Sequence, residues 1–316
     1  MATGSSHTRL KKETDGRSGA RSDTRSETVS ALDRGLALLN CFRDGQRVLG
    51  PTDLARLTGI PRPTVTRLAA TLTAHRWLQP EPGGERYMLG AGVVSLAQNF
   101  LAGLDVRAAS RGPMQALAER CGGAVYLAVR DGLEMVLIEA CRARSTMLAA
   151  RLDVGSRVPL PTSALGRAYL GAVDAATRAQ LIESLRLGRG SDWPALATGL
   201  QRALAQRDST GYCISAGEFH SEINSVSVAL TGPAGEVMAF NCGGPAFLFS
   251  EARLKSEVAP ALIQMAVQIA ADIGGVAALA KATVKTTATR AAQKAAKSAA
   301  AKTSKAATKE HAHAPD

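Results

Sequence analysis

The stretch Gly50-Pro-Thr-Asp-Leu-Ala-Arg-Leu-Thr-Gly-Ile-Pro-Arg-Pro-Thr-Val-Thr-Arg-Leu-Ala-Ala-Thr-Leu72 predicts two short helices joined by a tight glycine turn. Pro51 suits a first helical position, where no backbone donor is lost and the fixed φ already matches the helix. Leu54 and Leu57 supply the buried side of the first helix, which ends where Gly59 can turn left-handed. Beyond Pro61, Val65, Leu68, Ala69 and Leu72 recur at i, i+3, i+4 and i+7, which makes one face of a second helix apolar. The opposite side carries Arg62, Pro63, Thr64, Thr66, Arg67 and Thr71. Hydroxyl and guanidinium groups without an acid are the chemistry that meets phosphates and base edges in a major groove. Taken alone, the window leaves open an ordinary helical hairpin with a basic outer face.

The flanks favour the DNA-reading alternative. Val29, Leu32, Leu36 and Leu39 predict an amphipathic helix upstream that supports the pair, and Arg34 on it joins the candidate DNA contacts. Downstream, Trp77-Leu-Gln and Arg86-Tyr-Met-Leu read as two strands around Gly83-Gly84. Three helices and a hairpin form a winged helix-turn-helix. Its second helix enters the major groove, and Arg86 is placed to reach the backbone or the neighbouring minor groove. Trp77 and Tyr87 are read as packing the wing onto the helices rather than stacking on bases.

Charge is divided along the chain in the same sense. The formal net charge is +11, but residues 29 to 90 hold eight Arg against five acids, whereas 91 to 277 hold sixteen basic and sixteen acidic residues. Residues 278 to 316 add eight basic groups against two acids. One part is therefore built to meet a polyanion, while the larger part serves another purpose. No apolar run approaches the roughly 20 residues of a membrane-spanning helix, and the N-terminus has no apolar signal core, so no membrane partner is expected. Five cysteines (Cys41, Cys121, Cys141, Cys213 and Cys242) are odd in number and form no Cys-x-x-Cys pair. This points to a reducing cytoplasm and against a structural zinc site; as a DNA binder the chain is expected at the nucleoid, and no cofactor is expected.

Five segments are expected. Residues 1–28 form a disordered arm rich in Ser, Thr, Gly and Arg, and 29–90 the winged domain. Residues 91–104 form a linker helix whose apolar positions Val93, Leu96, Ala97, Phe100, Leu101 and Leu104 suit a dimer seam. Within 105–277, Gly123-Ala-Val-Tyr-Leu-Ala-Val-Arg and Glu134-Met-Val-Leu-Ile-Glu-Ala-Cys flank Asp131-Gly132, a hairpin signal. A strand is expected over 147–154, helices over 162–173, 175–186 and 194–208, a strand from Gly211, a second hairpin around Gly232–Gly235, and a closing helix over 250–273. Consecutive hairpins with flanking helices imply an antiparallel α+β sandwich. Residues 278–316, rich in Ala, Lys and Thr, are too poor in apolar surface to fold alone.

The chain closely resembles the IclR family of bacterial transcription regulators from about Val29 to Gly274. The strongest elements are Ala31-Leu-Asp-Arg-Gly-Leu-Ala-Leu-Leu, the helix-turn-helix, Arg86-Tyr-Met-Leu-Gly, Arg157-Val-Pro-Leu-Pro-Thr-Ser-Ala-Leu-Gly-Arg-Ala and Gly211-Tyr-Cys-Ile-Ser-Ala-Gly-Glu-Phe. The resemblance implies a winged domain, a dimerising linker helix and a C-terminal effector domain of GAF-like fold. It also implies homodimers or tetramers on palindromic double-stranded DNA operators, and a small carboxylate or aromatic effector. Carried over position by position, the effector wall comprises Ala164, Leu165, Ser215, Ser225, Asn241, Cys242 and Gly243. Ser215 replaces an acid that relatives place on the 211 strand, and Asn241-Cys-Gly replaces small hydroxyl residues. Either these polar groups contact a ligand or they satisfy one another.

Enzymatic readings find little support. The chain has no Gly-x-Ser-x-Gly elbow, no phosphate-binding Gly-Lys-Ser/Thr loop and no His-Glu-x-x-His pair. Cys242 is the best candidate nucleophile or redox sensor, with His220 the only histidine outside the tails placed to serve it, but no paired cysteine lies near it in sequence. The remaining alternative is a nucleoid-associated, sequence-independent DNA binder using the basic tail, which leaves the neutral domain without a purpose.

Overall fold

The computed structural model describes residues 29–43, 46–144 and 152–278. The expected N-terminal arm and all but the first residue of the expected tail lie outside them, as does most of the strand expected at 147–154. The chain divides into two compact units between Gln98 and Asn99.

The first unit contains helices α1 (Ser30–Leu39), α2 (Pro51–Thr58) and α3 (Arg62–Ala74), followed by the antiparallel strands β1 (Leu78–Pro80) and β2 (Tyr87–Leu89). The Asp53 carboxylate accepts the Gly50 N–H at 3.0 Å, which caps α2. Gly59 ends it at φ 72°, a left-handed value that lets the chain turn into α3 without a Cβ penalty. Leu38, Leu49, Leu54, Ile60, Val65, Ala69 and Leu78 form the core beneath. Two expectations are corrected here: of the two leucines expected to bury α2 only Leu54 does so, Leu57 being exposed, and α1 packs by another side than expected. α1 buries Gly35 and Leu38, whereas Val29, Leu32 and Leu36 are exposed. Apolar residues lie on more than one side of this helix, so periodicity alone did not select the packed face.

Helix α4 (Gly92–Ala102) contains the boundary between the units. The second unit continues with α5 (Asp105–Cys121), β3 (Ala124–Asp131), β4 (Glu134–Arg142), β5 (Arg157–Pro159), α6 (Ala164–Ala172), α7 (Ala175–Arg189) and α8 (Trp193–Thr210). It then runs through β6 (Cys213–Ala216), β7 (Ile223–Thr231) and β8 (Val237–Pro245) to α9 (Glu251–Arg253), α10 (Ala259–Asp272) and β9 (Val276–Ala277), with a π turn over Leu254–Val258 joining α9 to α10. The sheet has the order β5-β4-β3-β8-β7-β6, with β9 also on β7, and every pairing is antiparallel.

Alternation along the strands sorts the sheet into two faces. Val125, Leu127, Val226, Val228, Phe240 and Cys242 pack toward the layer of α5 and α10. Ala124, Tyr126, Ala128, Ala229 and Ala239 pack toward α6. The unit is thus an antiparallel α/β sandwich. Helix α5 was not foreseen. Its buried side is Val106, Ser110, Met114, Leu117, Ala118 and Cys121, but Ser110 interrupts the apolar stripe and Pro113 stands inside the helix. Ser110 is tolerated in the core because its hydroxyl donates to the Val106 carbonyl. β5 lies between the strand expected at 147–154 and the helix expected from 162, where no strand was expected, and Leu152–Val154 form no strand.

Candidate nucleic-acid interface and ligand cavity

Helix α3 owes its placement to Val65 and Ala69, both fully buried, and to Leu68 and Leu72 beside them. Fixing that face turns Arg62, Pro63, Thr66, Arg67 and Thr71 outward, with Thr64 half-buried at the rim. The Thr66 and Thr71 hydroxyls donate back to the Arg62 and Arg67 carbonyls at 3.1 and 3.2 Å, so each retains acceptor capacity toward solvent. Neither Arg62 nor Arg67 has an acidic partner among the described residues. Arg34 is exposed on α1. Arg86 is exposed next to β2, and its Nη2 donates to the Val48 carbonyl at 2.8 Å, tying the wing to the strand-like segment at Leu49 that bridges Tyr87.

The second unit holds a cavity, part of it open to solvent, between the sheet and the start of α6. Ser163 caps α6 by accepting the Gly166 N–H at 3.0 Å, which sets Ala164 and Leu165 at the mouth of the helix. Those two residues line the cavity, together with Ser225, Asn241 and Gly243 from the adjoining strands. Gly243 is required by packing, since a Cβ there would lie 2.5 Å from both the Asn224 carbonyl oxygen and the Ser225 Cβ. The Asn241 amide donates to Ser227 Oγ at 2.9 Å and to the Val226 carbonyl at 3.3 Å, which commits its donors and leaves its carbonyl oxygen as an acceptor.

Two residues of the expected wall are placed differently. Ser215 lies on the cavity side of β6 but outside the lining, and its hydroxyl donates to the Thr162 carbonyl at 2.9 Å. Cys242 belongs to the opposite face of the sheet, because side chains alternate along β8 and its neighbours Asn241 and Gly243 face the cavity. Nor does the fold assemble a Cys–His dyad. His220 is exposed in the β6–β7 loop, where its Nδ1 accepts from the Glu222 N–H at 3.4 Å, whereas Cys242 is buried in the sheet.

Sequence reasoning missed part of the wall. Ala124 and Tyr126 line the cavity from β3 because Ala124 pairs with Gly243 and Tyr126 with Asn241, a long-range register that no local pattern announces. Burial pushes the Tyr126 hydroxyl above its ordinary pKa, against the pull of the neighbouring Arg142. Arg142 is itself tied to the Leu152 carbonyl and, at 2.8 Å, to Asp153. Phe219 closes another side, and the preceding Glu218 is clamped by Arg167. Arg167 is 3% exposed, and it donates to the Pro161 carbonyl at 2.8 Å, the Ile214 carbonyl at 3.2 Å and both Glu218 oxygens. One buried guanidinium thereby joins three segments at the cavity rim. No group of three or more His, Cys, Asp or Glu poised to hold a metal occurs among the described residues.

The family profile described as the IclR helix-turn-helix domain matches residues 31–82, and that of the bacterial transcriptional regulator IclR C-terminal domain matches 98–271. The chain belongs to the IclR family. This IclR regulator is 34% identical over 248 residues to the HTH-type transcriptional regulator TsaQ1/TsaQ2 of Comamonas testosteroni, covering 78% of this chain and 88% of that protein. It also resembles the crystal structure of an IclR family regulator from Brucella abortus at 36% identity and TM-score 0.72, covering 81% of this chain and 96% of the other. A fold likeness at 20% identity and TM-score 0.60, over 77% and 97% of the two chains, links it to an IclR homolog of Microbacterium hydrocarbonoxydans complexed with 4-hydroxybenzoate. The family accounts for both units: an N-terminal DNA-binding domain and a C-terminal ligand-binding domain of a transcriptional regulator. Among the described residues no helix is long and apolar enough to cross a membrane.

Proposed function

We propose that this chain reads a palindromic operator through α3 and that a small carboxylate or aromatic effector, held in the α6 cavity, changes operator affinity. The observation that carries the reading is the outward face of α3, where Arg62 and Arg67 lack acidic partners among the described residues and stand among threonine hydroxyls. On this reading Arg67 and Thr64 contact base edges, Arg62 holds phosphate at the helix start, and Arg34 and Arg86 contact the backbone. The effector makes mostly apolar contact; a carboxylate accepts from the Ser225 and Tyr126 hydroxyls, and a hydroxyl on an aromatic effector donates to the Asn241 carbonyl oxygen. Such a lining, apolar with a few convergent polar groups, is what small-ligand sites show.

Operator palindromy requires a second copy. The exposed Val94, Leu96 and Phe100 of α4 and the exposed Val29, Leu32 and Leu36 of α1 supply apolar surface for it, as a homodimer or a pair of dimers. A cytoplasmic, nucleoid-bound location follows from that function. The test is selection of binding sites from random duplexes by the full chain, followed by titration with 4-hydroxybenzoate and other small organic acids. Enrichment of one palindrome whose affinity responds to an acid supports the reading. Protection of DNA without sequence preference would replace it with architectural binding.

A further inference from the structure

The fold brings together two cysteines that the sequence keeps far apart. Cys121 closes α5, and Cys242 stands in the middle of β8 on the same side of the sheet. Gly122, at φ 68°, ends the helix, and Gly123 packs so closely that a Cβ would lie 2.6 Å from the Gly243 carbonyl oxygen. β3 then pairs Ala124 with Gly243 and Val125 with Cys242, so the turn sets Cys121 against β8. The two side chains lie in the same buried cluster on that face, near enough for each thiol to shift the other's titration. The surroundings differentiate them. The Cys242 S–H, then Arg120 and Arg253, hold the Cys121 thiol below its ordinary value against burial and Glu257. The same interaction and burial push Cys242 up. Arg253 is fixed for this role: its Nη2 donates to the Cys121 carbonyl at 2.9 Å, and its guanidinium lies 5.0 Å over the Phe249 ring.

We propose that Cys121 and Cys242 form a reversible intramolecular disulfide when the chain meets a hydroperoxide, a modification site on the back of the cavity wall. The Cys121 thiolate attacks the distal peroxide oxygen, the S–O bond forms, the O–O bond breaks, and the leaving oxygen takes a proton to become water or an alcohol. Cys242 then attacks the Cys121 sulfur. The S–S bond forms, the S–O bond breaks, and the hydroxide leaves as water with the Cys242 proton. Two thiols are oxidised by two electrons and one peroxide is reduced. A small-molecule thiol reverses the step by exchange. Cys121 is 3% exposed, so the thiolate is shielded from bulky reagents, and a small peroxide reaches it through local opening at the helix end. The disulfide bears on the cavity because Cys242 separates Asn241 from Gly243, both of which line it. The inference stands on the nearness of the thiols and not on the effector reading.

The test uses the reduced full-length chain, exposed to hydrogen peroxide, unfolded in N-ethylmaleimide and mapped without reductant. The expected result is two fewer N-ethylmaleimide additions per chain than in the unexposed control and one cross-linked peptide pair containing Cys121 and Cys242, both reverted when dithiothreitol precedes alkylation. Cys213, whose thiol burial pushes up to about 12, is the internal reference and stays alkylatable. In Cys242→Ser the cross-link disappears and dimedone traps a sulfenic acid at Cys121. A wild-type chain whose Cys121 and Cys242 remain fully alkylatable after peroxide, or which links either of them to a different cysteine, overturns the proposal. That readout needs no variant to fold.

Discussion

In the N-terminal unit Arg62 and Arg67 stand on an exposed helix face with no acidic partner among the described residues, whereas in the C-terminal unit Arg107, Arg142, Arg157, Arg167 and Arg253 each meet a carboxylate. All ion pairs between described residues lie beyond residue 98. The same side chain thus has two uses. A paired guanidinium links segments of the fold and is neutralised locally. An unpaired one keeps its charge and its donors for a polyanion. This difference explains why an excess of three positive charges over residues 29 to 90 gives way to neutrality over 91 to 277.

The sharpest way to break the comparison is to remove one arginine of each kind. Arg167→Ala leaves the Pro161 and Ile214 carbonyls without their donor and frees Glu218. Breaking a buried pair costs about 3 to 5 kcal/mol. Glu218 is 37% exposed, so solvent screens part of that and about 2 to 4 kcal/mol is expected. Urea unfolding of the C-terminal unit measures it, and the operator preferred by the folded protein should not change. A loss under about 1 kcal/mol would show that water replaces the clamp, and the structural use assigned to the paired arginines would fail.

Arg67→Ala should do the reverse. A lost bidentate base contact weakens operator binding by about 1 to 3 kcal/mol and relaxes the preference at one position. Stability should stay within about 0.5 kcal/mol, as for surface substitutions generally. Arg62→Ala should weaken all sequences about equally. Gel shifts on operator and scrambled duplexes separate the two, and full retention by both variants would remove α3 as the reader.

What could be read from sequence follows the range over which each feature is encoded. The helix-turn-helix was legible because Pro51, Gly59 and the Val65–Leu72 spacing are local signals for starting, turning and burying a helix. The two hairpins were legible through Asp131-Gly132 and Gly232–Gly235 for the same reason. Helix α5 was hidden by Ser110 and Pro113, and the packed face of α1 by apolar residues around the helix. The cavity depends on register between distant strands. Tyr126 joins Asn241 only when β3 pairs with β8, and Cys242 leaves the wall by alternation along β8. Motif matching placed both Cys242 and Asn241 in the wall, since it marks positions along a strand rather than the face each presents.

A smaller effect sharpens the comparison within the C-terminal unit. Leu165→Trp places a larger ring in the cavity mouth beside Ala164. If the effector acts there, the coupling of about 1 to 3 kcal/mol between ligand and DNA should vanish while DNA affinity without ligand remains. The coupling must be reciprocal in the parent chain, so operator DNA should shift effector affinity by the same factor. Calorimetry with and without DNA checks both. An unchanged effector affinity in Leu165→Trp excludes Leu165 from the site.

The smallest expected effect concerns the excess positive charge of residues 278 to 316. Residues 278 to 316 carry seven lysines and one arginine against two acids, whereas residues 29 to 277 contain a single lysine, Lys255. Each duplex phosphate neutralised contributes about −0.9 to the slope of log affinity against log salt, so engagement of about three groups contributes roughly −2.7. Deleting these residues should therefore flatten the salt dependence by that amount and lower affinity for random DNA about sixfold for each halving of the salt concentration. The preferred operator should be unchanged, because the sequence is read by α3. A salt titration of operator and random duplexes with the full chain and a 1 to 277 truncation decides the matter. Equal slopes would mean that excess positive charge is not sufficient for DNA contact, and the reading of Arg62 and Arg67 would then rest on their helix alone.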